Sequence, residues 1–181
     1  FRTENATVYD KPEGGVPLYI TASGPAAARL AGRLGDGFIT TSGKATELYT
    51  EKLLPAVAEG IEKAGRDPKG VELTLEVKVS FDSDKQRALA DTRHWGALAL
   101  SPEEKTGVED PVEMQRLADA LPVERAASRW IVSDDPEEHV GRLRSYIDMG
   151  FTHLVFHFPG PDQERALRLY ADQVLPLLRA R

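Results

Sequence analysis

Hydroxyls at Thr40, Thr41 and Ser42, a glycine at 43 and an ammonium at Lys44 follow directly on the apolar pair Phe38-Ile39. Hydroxyl and backbone N–H donors beside one fixed positive charge suit a phosphate-bearing ligand. A helical pattern begins at Thr46. In α/β proteins, anions bind where the carboxyl end of a strand opens onto a helix start. The arrangement recurs one unit earlier, where Leu18-Tyr19-Ile20-Thr21 runs into Ala22-Ser23-Gly24-Pro25. Each stretch also has a plainer reading: an exposed lysine after a turn at Lys44, and a tight turn with a helix cap at Ser23-Gly24-Pro25. Neither is a P-loop, which needs glycine where Phe38 stands and Ser or Thr where Ala45 stands. No G-x-G-x-x-G fingerprint follows a strand.

Other candidates are weaker. Lys105 and Arg129 lie in or bound an irregular stretch, and each alone reads as a solvated charge. Arg129 is the better of the two, because it precedes Trp130-Ile131-Val132 and is expected to be partly buried. His153 and His157 lie at i, i+4 on one strand face, but no third metal ligand accompanies them. His157, near the strand's end, fits a ligand pocket, whereas His153 reads as structural. His94 and His139 read as helix-surface residues. Glu72, Glu76 and Lys78 alternate on one strand face; in a closed barrel they would point inward, but a polar outer face is the simpler reading. No Ser–His–Asp arrangement or proton donor is identifiable.

The chain has 181 residues, enough for one domain with a substantial core. With 29 acidic and 23 basic residues its net charge is −6, so no general basic field draws nucleic acid or anionic membrane. An anion must be held by a local basic cluster. Cysteine is absent, which excludes disulfides and thiolate chemistry and fits a cytoplasmic protein. No apolar run approaches the roughly 18 residues of a membrane span, and no signal peptide is visible.

The elements that must position these residues alternate. Val16–Thr21 reads as a buried strand, followed by a helix from Pro25 to about Leu34 with proline in its first turn. Phe38–Thr41 is a short strand, Thr46 to about Ala64 a helix, and Val71–Phe81 a strictly alternating strand. Asp82 or Ser83 is expected to cap a helix reaching Trp95. Residues 96–129 carry short helical patterns and no strand, an insertion of the kind that serves a ligand site or a subunit contact. Trp130–Ser133 is a strand, Pro136 to Gly150 a helix, Thr152–Phe158 the last strand and Pro161–Leu178 the last helix. Such alternation predicts a parallel sheet with helices outside it, either open or closed into a barrel. Residues 1–15 read as a connecting loop and not as the start of a domain, which suggests a C-terminal piece of a longer protein.

The run Val16-Pro17-Leu18-Tyr19-Ile20-Thr21-Ala22-Ser23-Gly24-Pro25, followed by Gly35-Asp36-Gly37-Phe38-Ile39-Thr40-Thr41-Ser42-Gly43-Lys44, resembles the luciferase-like flavin and deazaflavin oxidoreductases. Thr-Ser-Gly-Lys together with Arg129-Trp130-Ile131-Val132 is similar to one branch of that family, the actinobacterial glucose-6-phosphate dehydrogenases that use coenzyme F420. The likeness continues through Glu47–Leu53, Ala120-Leu121-Pro122 and His153–His157. It implies an α/β fold in which residues 16–181 form the C-terminal half of a (β/α)₈ TIM barrel, with a helical insertion at about 96–129. By the same resemblance, Thr41, Lys44, Lys105 and Arg129 hold the sugar phosphate, and Ser23, Gly24, Ala26 and Ala27 hold the coenzyme's phosphate. Ser23 departs from the glycine commoner at its position. The implied reaction passes hydride from C1 of glucose 6-phosphate to the deazaflavin, giving 6-phosphogluconolactone. A histidine, a tryptophan and a glutamate of the N-terminal half serve that transfer in the family, and their motifs do not occur here. The implied partners are that N-terminal half and a second copy in a homodimer. Two other readings stay open: a flavin monooxygenase or another F420-dependent reductase of the same superfamily, and a non-catalytic half-barrel that self-associates through exposed sheet edges.

Overall fold

The computed structural model describes residues 2, 4–7, 9–10 and 12–180. The expected connecting loop 1–15 is thus described only in part, with residues 1, 3, 8 and 11 outside the described residues, and no helix or strand precedes Tyr19 among those that are described. Five parallel strands form the sheet: β1 (Tyr19–Thr21), β2 (Gly37–Thr41), β3 (Glu72–Phe81), β4 (Ile131–Ser133) and β5 (His153–His157). β1 pairs with β2, and β2 pairs with β3 from Gly37↔Glu72 to Thr41↔Glu76. β5 pairs with β3 from Thr74↔His153 to Lys78↔His157, and β4 takes only Val79–Phe81. The expected alternation of strand and helix is present, and so is the parallel sheet.

Alternate residues of β3 take opposite roles, because successive side chains of a strand point to opposite faces. Leu75, Val77, Val79 and Phe81 enter the main hydrophobic core. There they meet the buried faces of α1 (Pro25–Leu34), α2 (Leu54–Lys63) and α7 (Pro136–Asp148). Glu72, Thr74, Glu76, Lys78 and Ser80 occupy the other face. That face is not the solvated outer surface expected from the sequence, since Thr74, Lys78 and Ser80 are buried. β1 corrects a second expectation. Leu18 and Tyr19 are exposed, because β1 is paired along one edge only.

The helix expected over 46–64 begins with a wide π turn at Leu48–Leu53 before α2, and the last helix contains a similar turn at Tyr170–Val174 between α8 (Gln163–Leu169) and α9 (Leu175–Arg179). In both, the residue after the turn donates its N–H five residues back (Leu54 to Tyr49, Leu175 to Tyr170), and a proline follows. Proline has no N–H to give and its ring crowds the carbonyl four residues earlier, so a widened turn relieves the conflict. α3 (Lys85–Asp91) is capped by Asp84, not by Asp82 or Ser83. The Asp82 carboxylate is engaged elsewhere: Arg165 of α8 donates two hydrogen bonds of 2.8 Å to it, which lowers the pKa of Asp82. A 3₁₀ segment at Thr92–Ala99 then leads into the expected strand-free insertion, built of α4 (Pro102–Lys105), α5 (Pro111–Asp119) and α6 (Val123–Ala126).

α1 and α2 approach closely at Gly32 and Gly60. A Cβ on Gly32 would lie 2.1 Å from the Val57 carbonyl oxygen, and one on Gly60 2.2 Å from that of Arg29. Gly32→Ala is therefore expected to destabilise the fold by about 2 kcal/mol or more, read as a lowered urea midpoint.

His139 corrects a third expectation, because it is fully buried while His94 is exposed. Together with Val140 and Leu143 it makes the inward stripe of α7, and its ring meets Phe81 edge-on at 5.2 Å. Burial pushes its pKa down to about 4, against smaller opposing effects led by the Glu138 carboxylate. An unfolded histidine titrates near 6.5, so between these values the unfolded chain binds a proton that the folded chain refuses. Stability must fall as pH drops through that window, by about 2 kcal/mol at pH 5. The urea midpoint should decline between pH 7.5 and pH 5, and His139→Gln should reduce that decline.

Candidate functional site

The segment after β2 extends the strand and then turns away from it. Ser42 N–H donates to the Glu76 carbonyl at 2.8 Å, and Ser42 Oγ accepts from the Lys78 N–H at 2.9 Å, so its side chain continues the ladder where the backbone leaves it. Gly43 follows with φ +78°, in the left-handed region, and a Cβ there would lie 2.7 Å from the Arg129 carbonyl oxygen. Only glycine lets the two chain segments approach this closely. Tyr49 closes the turn: its hydroxyl donates to the Thr41 carbonyl at 2.8 Å and accepts from the Lys44 N–H at 3.3 Å. Burial chiefly, with Tyr146 beside it, pushes the Tyr49 pKa up to about 12, so the phenol keeps the proton it donates.

This turn forms one wall of a cleft of about 300 Å³, whose lining includes Ser42, Gly43, Lys44, Arg129, Trp130 and Arg142. Three cationic residues contribute to that lining and no carboxylate does. Lys44 and Arg129 are thus brought to one cavity. Arg129 is exposed, against the expected partial burial. Thr41 ends β2 and offers its carbonyl to Tyr49, but it does not line the cleft. Lys105 ends α4 and is also absent from the lining; its neighbour Glu104 is paired with Arg125 of α6. Ser23 and Gly24 form the turn before α1, and Ala26 and Ala27 lie in its first turn. Gly24 is the N-cap, no side chain caps this helix, and the space where a Gly24 Cβ would stand is open.

The sequence reading missed Arg142. It sits with Ser145 and Tyr146 on α7, nearly a hundred residues from Lys44 in the chain, and nothing in its spacing pairs it with that loop.

The polar face of β3 carries a second cluster. His157 Nδ1 lies 2.8 Å from Glu76 Oε1, and Lys78 Nζ lies 3.7 Å from the same oxygen. The rings of Trp95 and Trp130 pack edge-to-face with the His157 ring at centroid distances of 4.5 and 5.2 Å. Lys78 is only 5% exposed, and its pKa is lowered first by burial. The Glu76 charge opposes that shift, while Arg129 and Lys44 add to it. Trp130 belongs to both places: it lines the cleft and packs on His157, and its buried Nε1–H has no hydrogen-bond partner among the described residues. One turn lower on the same face, His153 Nδ1 lies 3.3 Å from Glu72 Oε1.

The fold is an α/β parallel sheet with a cation-lined cleft at the end of β2. Residues 1–153 match the family described as luciferase-like monooxygenase, and the chain belongs to that family. Among curated relatives, a protein of Nakamurella multipartita is 66% identical over 99% of this chain and 53% of its own length, and one of Beutenbergia cavernae is 65% identical over 100% of this chain and 54% of its own length. Both are named F420-dependent glucose-6-phosphate dehydrogenase. The chain spans about half the length of these relatives. A solved F420-dependent secondary alcohol dehydrogenase, in complex with an F420-acetone adduct, superposes with a TM-score of 0.80 at 27% identity, covering 99% of this chain and 54% of that one.

Gly43→Ala should cost about 2 kcal/mol, from left-handed strain and the Arg129 contact together, lowering Tm by roughly 4–8 °C. Gly107→Ala isolates the strain, because Gly107 has φ +79° and open space around it; its Tm should fall by less.

Proposed function

We propose that this chain supplies the sugar-phosphate and coenzyme-phosphate binding portion of an F420-dependent glucose-6-phosphate dehydrogenase. The observation that carries this reading is the cleft where Lys44 and Arg129 meet with no carboxylate on its lining. A phosphate dianion there would accept charge-assisted hydrogen bonds from both side chains and from the Ser42–Lys44 turn. Thr41 and Lys105 are proposed as further contacts to the same phosphate. The names borne by relatives at 65–66% identity support the choice of substrate and coenzyme.

The residues at the start of α1 fit the coenzyme's phosphate. Small side chains at Ser23, Gly24, Ala26 and Ala27 leave the uncapped amides of the first turn accessible, and no acidic residue stands in that turn to repel an anion. When bound, the deazaflavin supplies the hydride acceptor. The chain's own residues hold the two phosphates, while removal of the proton from the C1 hydroxyl, as the hydride leaves C1, falls to groups that lie outside this sequence. On this reading the five strands are part of a (β/α)₈ barrel. β1 and β5 each pair along a single edge, and the apolar side chains exposed at Leu18 and Val155 are surfaces that further strands would cover. No helix among the described residues is long and apolar enough to cross a membrane.

The full-length product carrying this sequence should oxidise glucose 6-phosphate with F420 and should not turn over flavin mononucleotide with oxygen. The opposite pattern would favour a flavin monooxygenase. Lys44→Ala and Arg129→Ala should each weaken glucose 6-phosphate binding about 10- to 100-fold, the range set by one charge-assisted hydrogen bond. An unchanged dissociation constant in both variants would refute the cleft as the phosphate site.

A further inference from the structure

The cluster on the polar face of β3 has unused hydrogen-bonding capacity. Glu76 spends Oε1 on His157 and Lys78, while Oε2 makes no hydrogen bond to any described residue. The Lys78 ammonium carries three donors, and its contact with Glu76 at 3.7 Å is an ion pair beyond hydrogen-bond distance. The Lys78 residue as a whole is only 5% exposed, so its stem is packed away while the ammonium tip keeps its donors available to a ligand.

The chemistry of the cluster differs from that of the cleft beside it. The cleft presents cations without a carboxylate and suits an anion. The cluster mixes a carboxylate, an ammonium and an imidazole, and Glu76 would repel a second anion. Hydroxyl groups match it, because each can donate to Glu76 and accept from Lys78. Trp95 adds a wall of the right kind. It is 44% exposed, interrupts its 3₁₀ segment with φ −122° and ψ 25°, and sets its ring against His157. An aromatic face next to a carboxylate binds the two aspects of a sugar, its C–H face and its hydroxyl edge. The buried Trp130 ring lines the cleft and packs on His157, so one side chain stands between cleft and cluster.

We propose that Glu76, Lys78 and His157, walled by Trp95 and Trp130, bind the hydroxyl-bearing body of the ligand whose phosphate occupies the Lys44–Arg129 cleft, so that the site selects phosphorylated polyols over other phosphates. This rests on the reading of the cleft as a phosphate site. The cluster is a specificity determinant distinct from the phosphate grip.

Calorimetric titration of the chain with glucose 6-phosphate, and separately with inorganic phosphate, tests it. The unaltered chain should bind the sugar phosphate at least about tenfold more tightly than phosphate. Glu76→Gln should remove most of that advantage while leaving phosphate affinity within about twofold, whereas Lys44→Ala should weaken both ligands. Trp95→Ala removes an exposed ring; it should show the same selective loss and carries the test if Glu76→Gln does not fold. Equal affinity for the two ligands, or equal effects of Glu76→Gln and Trp95→Ala on both, would overturn the hydroxyl subsite while the phosphate site stands. Binding of neither ligand by the unaltered chain would overturn both.

Discussion

One ten-residue strand sets the conditions for everything else. β3 hydrogen-bonds to β2, β4 and β5, and its alternating side chains divide the molecule into an apolar layer and a polar face. Strands of a parallel sheet that is covered by helices on both sides are usually apolar throughout. The strict alternation of β3 reflects a different situation: the apolar core lies on one face, and the other is met by polar contacts such as Ser80 Oγ donating to the Ala88 carbonyl of α3. Leu75, Val77, Val79 and Phe81 bind the sheet to the helical layer, which leaves Glu76 and Lys78 free to do chemistry on the other side.

The same strand fixes the cleft. Ser42 takes two of its hydrogen-bonding groups from the β3 backbone, at the Glu76 carbonyl and the Lys78 N–H. Gly43 must then turn through a left-handed conformation against Arg129, and Tyr49 holds the turn shut from the helical side. Lys44 and Arg129 are thereby placed by backbone contacts and not by attraction between side chains, which for two cations would be repulsion. The low pKa of Lys78 records that crowding as well as its burial. Sites of this type hold like charges together because the fold enforces it, and a bound anion relieves the repulsion.

Much of this was legible in the sequence. Apolar runs, the alternation of β3 and prolines in the first turns of helices located most strands and helices, while the cap of α3 fell on Asp84 instead of Asp82 or Ser83. The turn Thr41-Ser42-Gly43-Lys44 stood out because its chemistry is local. Contacts across the fold were less legible. Arg142 reaches the cleft from α7, and His157 reaches Glu76 across 81 residues. The polar alternation of β3 was visible but misread, since Glu72, Thr74, Glu76 and Lys78 on one face look most simply like a solvated surface; the burial of Thr74, Lys78 and Ser80 overturns that reading. His139 misled for the opposite reason. A histidine between Glu138 and Val140 looks polar in sequence, yet it falls on the same helical stripe as Leu143 and is carried into the core.

A chain of net charge −6 with a cationic cleft is not a contradiction once the acidic groups are located. Asp84, Asp110, Asp135 and Asp162 are engaged in capping helices, and Glu59, Glu104, Glu113 and Glu164 are paired with lysine or arginine. At physiological ionic strength, exposed charges are screened beyond about 8 Å. The acidic surplus therefore acts on the surface around those elements and does little to the potential inside the cleft. The overall charge gives no long-range steering of an anion toward the site. On the proposed function, phosphate capture would come from short-range contacts with Lys44, Arg129 and the amides of the turn, and selectivity among phosphates from what adjoins them. Trp130 lines the cleft and packs on His157, and on the proposed reading the cluster of Glu76, Lys78 and His157 beyond it would supply that selectivity.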